Sequence, residues 1–353
     1  MLITGGAGFI GSHAAEYFAR RGYRVTVLDN LSRGRLLKRE DPHALDNWNH
    51  LAGLEGVALV RGDVCDAAAL APLAAEADVI LHAAAQTAVT TSVADPATDF
   101  RNNAVGAFTV LEAARLGGRR PAVLFCSTNK VYGENVNQVP VVEEARRYRF
   151  DAPWEQGIPE NFSIDRCEHT PYGCSKLAGD LYTQDFGHLY GMRCGVFRMS
   201  CIYGTRQFGM EDQGWVAWFV IAALTGRPIT IFGDGKQVRD VLWIEDLLRA
   251  YEAFLKSDLP AGVFNIGGGP RHTLSLLELL EIIGEETGAA PEVGYGDWRP
   301  SDQKVYVSDI RQARERLGWE PRVAPREGVR RLAAWAREHL APNRAAPGVG
   351  EGG

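Results

Sequence analysis

A short strand-like run, a glycine-rich turn and a helical pattern open the chain, and this order constrains its fold more than any other feature. Leu2-Ile3-Thr4 is long enough only for a strand, and the pattern becomes helical from Phe9 onward. Between them Gly5, Gly8 and Gly11 stand at three-residue spacing. Such glycines permit a tight turn, a close approach of the backbone to a pyrophosphate, and close packing of helix on strand. The segment therefore predicts a site for the diphosphate of a dinucleotide.

A carboxylate lies where a dinucleotide-binding fold places one against the adenosine ribose. A second strand, predicted over residues 23–28, ends at Asp29, about 20 residues beyond the glycines, which is the usual spacing in such folds. A carboxylate there accepts hydrogen bonds from the ribose hydroxyls and repels a 2′-phosphate, so we expect NAD rather than NADP. Arg33 could instead face such a phosphate, or be an exposed loop arginine.

Strand-like runs alternate with helical patterns along the next part of the chain, which is typical of a parallel sheet. Further strands are predicted over residues 57–60, 78–82, 122–126 and 194–199. We therefore predict an α/β fold with a Rossmann-type, doubly wound parallel sheet and a smaller C-terminal α/β lobe that binds substrate. The predicted boundaries are 1–198 with about 236–262 for the NAD-binding domain, 199–235 and 263–340 for the lobe, and 342–353 for a disordered tail rich in Ala, Pro and Gly.

Polar and small residues follow several of these strands, at the edge of the sheet where α/β proteins bind ligands. Asp63 suits a contact with adenine, or it could cap the helix predicted to begin near Cys65. Small residues at 83–85 would let the backbone lie against a flat ligand. Thr90-Thr91-Ser92 supplies a run of hydroxyl groups that we expect at the end of a strand.

A tyrosine and a lysine on one helical face are the foremost catalytic candidates. Pro171 is predicted to open a helix that runs to about residue 190. Tyr172 and Lys176 lie four residues apart on it and therefore share a face. A buried tyrosine and a surface lysine could share a face by chance. Because this helix follows a dinucleotide-binding pattern and a Ser127-Thr128 pair at a strand end, we expect both residues at the switch point of the sheet.

The composition argues against several other functions. A formal net charge of −6 disfavours nucleic acid or an anionic membrane as the main partner, and no apolar run reaches the roughly 18 residues of a membrane span. The six cysteines are scattered without the spacing of zinc ligands, so we expect reduced thiols, a cytoplasmic protein and no metal site. The strand and glycine turn begin at Leu2, so we expect no signal peptide.

These motifs resemble the extended short-chain dehydrogenase/reductase family of nucleotide-sugar enzymes. The resemblance covers residues 1–340 and rests on TGGAGFIG at 4–11, Asp29-Asn30, the Tyr172/Lys176 pair and Arg239. Within the family the likeness is greatest to 2-epimerases of CDP-hexoses, of the CDP-paratose, CDP-tyvelose or CDP-glucose type. The stretches that carry it are STNKVYG at 127–133, PYGCSK at 171–176, RQF at 206–208, DQGWVAWF at 212–219 and GKQVRDVL at 235–242.

The resemblance implies an epimerase that oxidises a sugar carbon transiently with tightly bound NAD⁺ and returns the hydride to the opposite face of the keto-sugar. It assigns Tyr172 as the base, and Lys176 as its activator and as a ligand of the nicotinamide ribose. It assigns Thr128, with Ser127 beside it, as the partner of the reacting hydroxyl. A nearby ammonium and the positive nicotinamide ring would bring the pKa of the phenol, ordinarily about 10, toward neutrality.

The same resemblance also assigns residues that contact the cofactor and residues that contact the substrate. The expected cofactor contacts are Gly5, Gly8, Phe9, Ile10, Gly11, Asp29, Asn30, Ser32, Arg33, Asp63, Val64, Ala83, Ala84, Gln86, Asn103, Tyr172 and Lys176. The expected substrate contacts are Thr90, Thr128, Asn129, Cys201, Arg206, Gln207, Trp215, Arg239 and Arg299. The three arginines are assigned to the nucleotide diphosphate, because a guanidinium can hold phosphate oxygens through two hydrogen bonds. Surface ion pairing is the alternative for each of them.

Other activities and the state of assembly are left partly open. Related 4,6-dehydratases carry an Asp-Glu pair directly after the Thr, where this chain has Asn129 and Lys130, so dehydration is not expected. A UDP-sugar 4-epimerase is the main alternative, and a non-catalytic NAD-binding regulator is a more remote one. Met199 and Cys201 stand where the 2-epimerase pattern has His and Ser, which leaves the exact sugar open. Relatives often dimerise through two helices that correspond to residues 99–116 and 172–190, so we expect a homodimer or homotetramer.

Overall fold

The computed structural model describes residues 1–36, 42–299 and 302–340. Numbered along the chain, the strands are β1 (Leu2–Thr4), β2 (Val25–Asp29), β3 (Val57–Arg61), β4 (Val79–His82), β5 (Ala122–Thr128), β6 (Val141–Glu143), β7 (Tyr148–Phe150), β8 (Cys194–Met199), β9 (Cys201–Tyr203), β10 (Ile229–Phe232), β11 (Val238–Trp243), β12 (Ala261–Ile266), β13 (Thr273–Ser275), β14 (Val293–Gly296) and β15 (Val305–Tyr306). The helices are α1 (Phe9–Ala19), α2 (Arg33–Leu36), α3 (Asp46–Ala52), α4 (Ala67–Ala75), α5 (Val89–Ala94), α6 (Pro96–Phe100), α7 (Gly106–Leu116), α8 (Thr170–Tyr190), α9 (Trp215–Thr225), α10 (Ile244–Lys256), α11 (Leu276–Thr287), α12 (Arg311–Leu317) and α13 (Pro325–His339). A π-helical turn covers Arg101–Val105, and 3₁₀ turns cover Asn129–Gln138 and Gly269–Arg271.

Seven strands form one parallel sheet in the order β3-β2-β1-β4-β5-β8-β12. The chain adds β2 and β3 on one side of β1 and the later strands on the other, so the direction of winding reverses between β1 and β4. In open α/β sheets this reversal opens a crevice at the carboxyl ends of the strands, where ligands bind. The predicted Rossmann-type doubly wound sheet is confirmed.

Helices cover both faces of this sheet. Helix α1 packs against α3 and α10 on one face, while α7 packs against α4 and α8 on the other. Because both faces are covered, the central strands are continuous apolar runs, and every residue of β4 and β5 is buried. Burial of apolar surface stabilises a fold by about 25 cal/mol for each Å². These runs therefore fix the strand ends on which the site is built.

The other strands of the C-terminal part build a smaller lobe. Strand β11 pairs with β9, β13 and β15, strand β10 pairs with β14, and helices α9, α11 and α13 pack on one another. The predicted assignment of 236–262 to the NAD-binding domain is corrected at both ends. Strand β11 belongs to the lobe, because its hydrogen-bond partners are lobe strands. Strand β12, placed mostly in the lobe by the sequence, completes the large sheet beside β8.

Two local predictions also change. Thr90-Thr91-Ser92 lies on helix α5 and not at the end of a strand. The helix expected over 99–116 begins earlier, because Asp95 caps its first turn and Pro96 fixes its first residue. It also contains the π-helical turn Arg101–Val105, which rotates the residues around it away from α-helical positions.

Three further expectations concern the C-terminal tail, membrane spans and metal ligands. The tail predicted over 342–353 lies outside the described residues. Among the helices of the described residues, none combines the length and the hydropathy of a membrane span. In the part of the chain that the structure describes, no three His, Cys, Asp or Glu side chains are grouped as metal ligands.

A buried histidine at the end of β4 makes the stability of the fold depend on pH. The Thr4 hydroxyl lies 2.7 Å from Nδ1 of His82, and Nε2 is buried without a partner among the described residues. Burial, together with the Lys176 ammonium, lowers the pKa of His82 to about 3. An unfolded histidine titrates at about 6.5, so below that pH the unfolded chain gains a proton that the native chain does not. Stability is therefore lost as the pH falls from about 6.5 toward 3.

We predict that His82→Gln reduces the loss of stability at low pH. In the wild type, His82 should account for roughly 2 kcal/mol of unfolding free energy lost between pH 7.5 and pH 5. Urea unfolding should be measured at pH 7.5 and pH 5. The free energy of unfolding of the variant, relative to that of the wild type, should be higher at pH 5 than at pH 7.5 by that amount. His188→Gln, at an exposed position of α8, is the control and should follow the wild type. A difference between His82→Gln and wild type that is equal at both pH values would contradict the prediction.

Candidate active site

A cavity of about 370 Å³ lies at the carboxyl edge of the large sheet. Its wall runs from the glycine turn after β1, past the ends of β2 and β4, to the ends of β5 and β8 and the start of α9. Asp29 and Arg33 line it at one end, and Thr128, Tyr172 and Trp215 line it at the other. One cavity therefore brings together residues predicted for the adenosine of a dinucleotide and residues predicted for catalysis.

The glycine turn shapes one wall of the cavity. Gly5 has a left-handed backbone with φ of +71°, and a Cβ there would lie 2.5 Å from the backbone nitrogen of Ala84. A Cβ on Gly11 would lie 2.2 Å from the carbonyl oxygen of Gly5, so α1 could not pack this closely on the turn. A Cβ on Gly8 would meet only the Gly5 oxygen, at 3.1 Å, and would project into the cavity. The turn thus leaves a cradle of bare backbone at the start of α1, which fits the pyrophosphate of NAD.

The Asp29 carboxylate lines the cavity at the end of β2. It accepts hydrogen bonds from the Ala7 N–H at 2.9 Å and the Leu31 N–H at 2.8 Å. Burial raises the pKa of Asp29, and these two hydrogen bonds oppose that rise. Each carboxylate oxygen keeps a lone pair for a ribose hydroxyl. This acceptor set, next to the open backbone at Gly8, fits the adenosine half of NAD.

The cavity wall includes every residue predicted to contact the cofactor except Asp63, Asn103 and Lys176. Asp63 instead contacts a residue of the wall, since its carboxylate accepts a hydrogen bond from Nδ2 of Asn30 at 3.2 Å. The alternative role of Asp63 as a helix cap is wrong, because Asp66 caps α4, and the contact of Asp63 with adenine stays a prediction.

Asn103 is a buried connector and does not line the cavity. Its Oδ1 accepts the Gln86 N–H at 2.8 Å, and its Nδ2 donates to Oγ of Ser175 at 3.0 Å. The preceding residue, Asn102, lines the cavity instead. The π-helical turn Arg101–Val105 accounts for the shift, because it rotates side chains away from the positions that an α-helix would give them.

Tyr172 and Thr128 meet at the end of the cavity opposite Asp29. Both residues line the cavity, and the Thr128 hydroxyl is close enough to oppose the rise in the pKa of Tyr172 that burial causes. Successive side chains of a strand point to opposite faces, and the Ser127 hydroxyl donates instead to Oδ2 of Asp180 at 2.6 Å. The hydroxyl left for a sugar at this strand end is therefore that of Thr128.

A serine to which the sequence assigned no such role fixes the start of α8. The Tyr172 N–H donates to Oγ of Ser92 at 3.1 Å. The first N–H groups of a helix have no partner within it, so Ser92 satisfies one of them and holds the backbone of Tyr172. No local pattern could reveal this contact, because the two residues are 80 positions apart.

Lys176 is buried one helical turn after Tyr172. Its Nζ lies 4.4 Å from the centroid of the Phe125 ring, and burial lowers the pKa of Lys176 to about 8. Burial also raises the pKa of Tyr172 to about 12, and the neighbouring Thr128 hydroxyl opposes that rise. The sequence predicted a phenol pKa lowered by the ammonium and the positive nicotinamide ring together, and the protein groups alone raise it, because desolvation dominates. Further positive charge is needed before this phenol acts as a base near neutral pH.

Four of the predicted substrate contacts line the cavity, namely Thr128, Cys201, Gln207 and Trp215. Nε1 of Trp215 donates to Sγ of Cys201 at 3.4 Å, which joins the start of α9 to β9. Thr90 does not reach the cavity, because it is exposed on α5. Asn129 is buried behind the wall, where its Oδ1 accepts a hydrogen bond from the Thr128 hydroxyl.

The three arginines predicted to hold a diphosphate are each paired with a carboxylate. The structure does not bring Arg206 to the cavity, because its Nη2 lies 2.8 Å from Oε2 of Glu16 on α1. The other two pairs are Arg239 with Asp302 at 2.6 Å and Arg299 with Asp212 at 3.1 Å. Neither of these arginines lines the cavity, so their contact with a diphosphate stays a prediction.

Residues 206–213, here called the strap, connect the two ends of the cavity. Nη2 of Arg33 donates to the Phe208 carbonyl oxygen at 2.9 Å, at the adenosine end. Nε2 of Gln213 donates to the Thr87 hydroxyl, nearer the catalytic end. Gln213 and Thr87 both line the cavity. The strap is thus attached on both sides of the space that a dinucleotide would fill.

We predict that Gly8→Ala loses the cofactor without destabilising the fold, whereas Gly11→Ala loses the cofactor and destabilises the fold. The methyl group at position 8 fills the open cradle, but at position 11 it overlaps the backbone oxygen of Gly5. The NAD content of Gly8→Ala, measured on nucleotide released by denaturation, should fall about tenfold. The Tm of the ligand-free protein should change little in Gly8→Ala and fall by about 5 °C or more in Gly11→Ala. Full NAD content in Gly8→Ala would contradict the assignment of the cradle.

Known proteins resemble this chain over most of its length, and their family is described as NAD dependent. Residues 1–267 match the NAD dependent epimerase/dehydratase family. The CDP-paratose 2-epimerase of Salmonella typhi is 38% identical over 345 residues, which cover 95% of this chain and 98% of that protein. The UDP-glucose 4-epimerase of Mycolicibacterium smegmatis is 34% identical, over 95% of this chain and 98% of its own.

Solved structures share the fold over nearly the whole chain. The UDP-glucose 4-epimerase of Thermus thermophilus, solved in complex with NAD, is 31% identical with a TM-score of 0.78, and covers 96% of this chain and 99% of its own. The UDP-glucose 4-epimerase of Thermotoga maritima, solved with UDP-glucose, shows the same identity, TM-score and coverage. The expectation of NAD as the cofactor is confirmed. The chain therefore belongs to the NAD-dependent epimerase/dehydratase family, within the extended short-chain dehydrogenase/reductases.

Proposed function

We propose that this protein is an isomerase that inverts C2 of a CDP-activated hexose, of the CDP-paratose, CDP-tyvelose or CDP-glucose type, through a transient keto-sugar. The observation that carries the proposal is that Tyr172 and Thr128 both lie in the wall of one cavity whose other end fits the adenosine of NAD. The choice of C2 and of cytidine is supported by 38% identity to a CDP-paratose 2-epimerase over nearly the full length of both chains.

The two hydroxyl groups hold the reacting sugar hydroxyl between them. Thr128 fixes the sugar oxygen, because its hydroxyl can donate one hydrogen bond and accept others. Tyr172 removes the proton from that oxygen and returns it after the carbon has been inverted. When bound, NAD⁺ supplies the hydride acceptor and a positive charge beside the phenol. Lys176 lies one turn along α8, where it can hold a ribose hydroxyl and keep a second positive charge near the phenol.

The pKa values of Tyr172 and Lys176 determine whether the phenol can act as an acid or a base near neutral pH. With a pKa of about 12 for Tyr172 and about 8 for Lys176, the phenol is protonated and the ammonium mostly charged at neutral pH. The phenol can therefore donate a hydrogen bond to a ketone oxygen without further help. Added positive charge in the cavity lowers the pKa of the phenol and lets it act as the base as well.

Three alternative functions are disfavoured to different degrees. Dehydration needs a carboxylic acid after Thr128, and Asn129 and Lys130 supply none. A UDP-sugar 4-epimerase is the second candidate, supported by 34% identity to the Mycolicibacterium smegmatis enzyme. A non-catalytic NAD-binding regulator would have no need of a buried lysine one turn from a tyrosine that lines the cavity.

We predict that the purified enzyme inverts C2 of CDP-glucose and leaves C4 unchanged, as followed by proton NMR. Tyr172→Phe removes the proton-transferring oxygen while keeping the ring, so kcat should fall by about 10²- to 10⁴-fold with NAD still bound. In heavy water no deuterium should appear at the inverted carbon, because the same hydride returns to it. UDP-glucose serves as the comparison substrate. Inversion at C4 with C2 untouched would refute the 2-epimerase proposal in favour of the second candidate.

We also propose that the protein forms a homodimer or homotetramer through helices α7 and α8. Six apolar side chains are exposed on these two helices, and we call them the apolar helical face: Phe108, Leu116, Leu181, Tyr182, Leu189 and Tyr190. Exposed apolar patches of this kind mark interfaces. A second copy presents the same helices, so the face can pair with itself about a two-fold axis.

We predict that Leu181→Glu dissociates the assembly. The change places a carboxylate, and in a two-fold interface a pair of them, among apolar side chains, where an unpaired charge is costly. Light scattering at micromolar concentration should give a multiple of the chain mass for the wild type and the mass of one chain for the variant. Tyr295→Glu, at an exposed apolar residue of β14, is the control and should behave as the wild type. A wild type with the mass of one chain would contradict the proposed assembly.

We propose a cytoplasmic location from the state of the thiols. All six cysteines are unpaired in the structure. Cys174 is exposed and Cys126 and Cys194 are buried, so free thiols occur at the surface as well as in the core. A chain with this many unpaired cysteines suits a reducing compartment.

A further inference from the structure

Met199 forms the part of the cavity wall next to Thr128. Strands β5 and β8 are parallel neighbours, and Thr128 pairs with Met199 at the last position of each. Both residues line the cavity. Neighbouring strands lie about 4.8 Å apart, and paired residues project from the same face of a sheet. A sugar whose hydroxyl group is held by Thr128 therefore lies within reach of Met199 as well.

The thioether of Met199 is fixed from behind this wall. Its Sδ accepts a hydrogen bond from the Tyr251 hydroxyl at 3.3 Å, and the same hydroxyl lies 3.1 Å from Sγ of Cys126. Tyr251 is fully buried on α10 and does not line the cavity. A thioether has no donor and is only a weak acceptor, and this acceptor is already engaged. Met199 therefore presents an apolar surface to the sugar.

The polar groups that follow Met199 along the chain are engaged as well. The Ser200 hydroxyl donates to the Asp240 carboxylate, and Sγ of Cys201 accepts a hydrogen bond from Nε1 of Trp215 at 3.4 Å. Ser200, Cys201 and Trp215 all line the cavity. A sugar hydroxyl placed on this side would find the Ser200 donor already used and only weak sulfur partners beside it.

We propose that Met199 selects a sugar that lacks a hydroxyl group at C3. The inference rests on the proposed function, because it takes C2 as the carbon whose hydroxyl group lies on Thr128. The ring neighbours of C2 are C1 and C3. C1 carries the charged diphosphate, which is costly to place against an apolar wall, so the C3 side faces Met199. A C3 hydroxyl group there would lose its hydrogen bonds to water without replacing them, whereas a CH₂ group would be buried favourably.

Two substrates that differ only at C3 test the proposal. CDP-3,6-dideoxyglucose lacks the C3 hydroxyl group, and CDP-6-deoxyglucose carries it. The wild-type kcat/KM should be about tenfold higher for the first, because the second buries a hydroxyl group without a partner. The ratio of the two kcat/KM values is the quantity to measure, since incomplete folding or NAD loading of a variant affects both substrates equally. CDP-glucose also carries a C3 hydroxyl group and should be turned over less efficiently than the 3-deoxy sugar.

Variants of Met199 show whether this side chain is responsible. Met199→Gln has a similar length and adds an amide that can donate to and accept from a hydroxyl group, so the ratio should fall to within about twofold of one. Met199→Leu is the matched control, since position 199 stays apolar and the wild-type ratio should be kept. The proposal would be overturned by a wild-type ratio near one, by an unchanged ratio in Met199→Gln, or by a lost preference in Met199→Leu.

Proton NMR of the products separates this proposal from the proposed function. Inversion at C4 instead of C2 would refute the proposed function. Because C3 adjoins C4 as well as C2, the ratio for the two substrates would still decide the role of Met199. Inversion at C2 with a ratio near one would leave the proposed function intact and overturn the role of Met199.

Discussion

Buried hydrogen bonds hold helix α8 to the cofactor side of the cavity, and the geometry of the whole site depends on them. The Ser175 hydroxyl donates to Oδ2 of Asp99 at 2.5 Å, and Asn103 joins Ser175 to the loop after β4 through Gln86. All four residues are buried. Loss of one member would leave the others without partners in a medium of low polarity, where that is costly. The network therefore fixes the tyrosine and lysine of α8 relative to the strand ends that carry the cofactor.

The sheet could be predicted because its strands carry their signal locally. A parallel strand covered on both faces is a continuous apolar run, as β4 and β5 are, and the alternation of such runs with helices implies the winding. The assignment of β11 and β12 could not be predicted in the same way. Both are short strands, and what decides their sheet is hydrogen bonding to strands that are distant in sequence.

The same distinction applies to the site. The glycine turn and the spacing of Tyr172 and Lys176 are local patterns, so the sequence was enough to find them. Asn103 was predicted in place of Asn102, because the pattern assumes an α-helix where the chain forms a π-helical turn. The partner of Arg206 is 190 residues away, so no spacing could show it. The raised phenol pKa arises from burial, which is a property of the folded chain.

The strap gives the cavity a further property. It is attached to Arg33 at the adenosine end and to Thr87 nearer the catalytic end. A dinucleotide that extended from Asp29 to Tyr172 would lie between these two attachments, and its exchange with solvent would require the segment to release both. An epimerase regenerates its own oxidised cofactor in every cycle, so exchange would serve no purpose. Closure of this kind instead keeps reduced cofactor and oxidised sugar together until the second half of the reaction is complete.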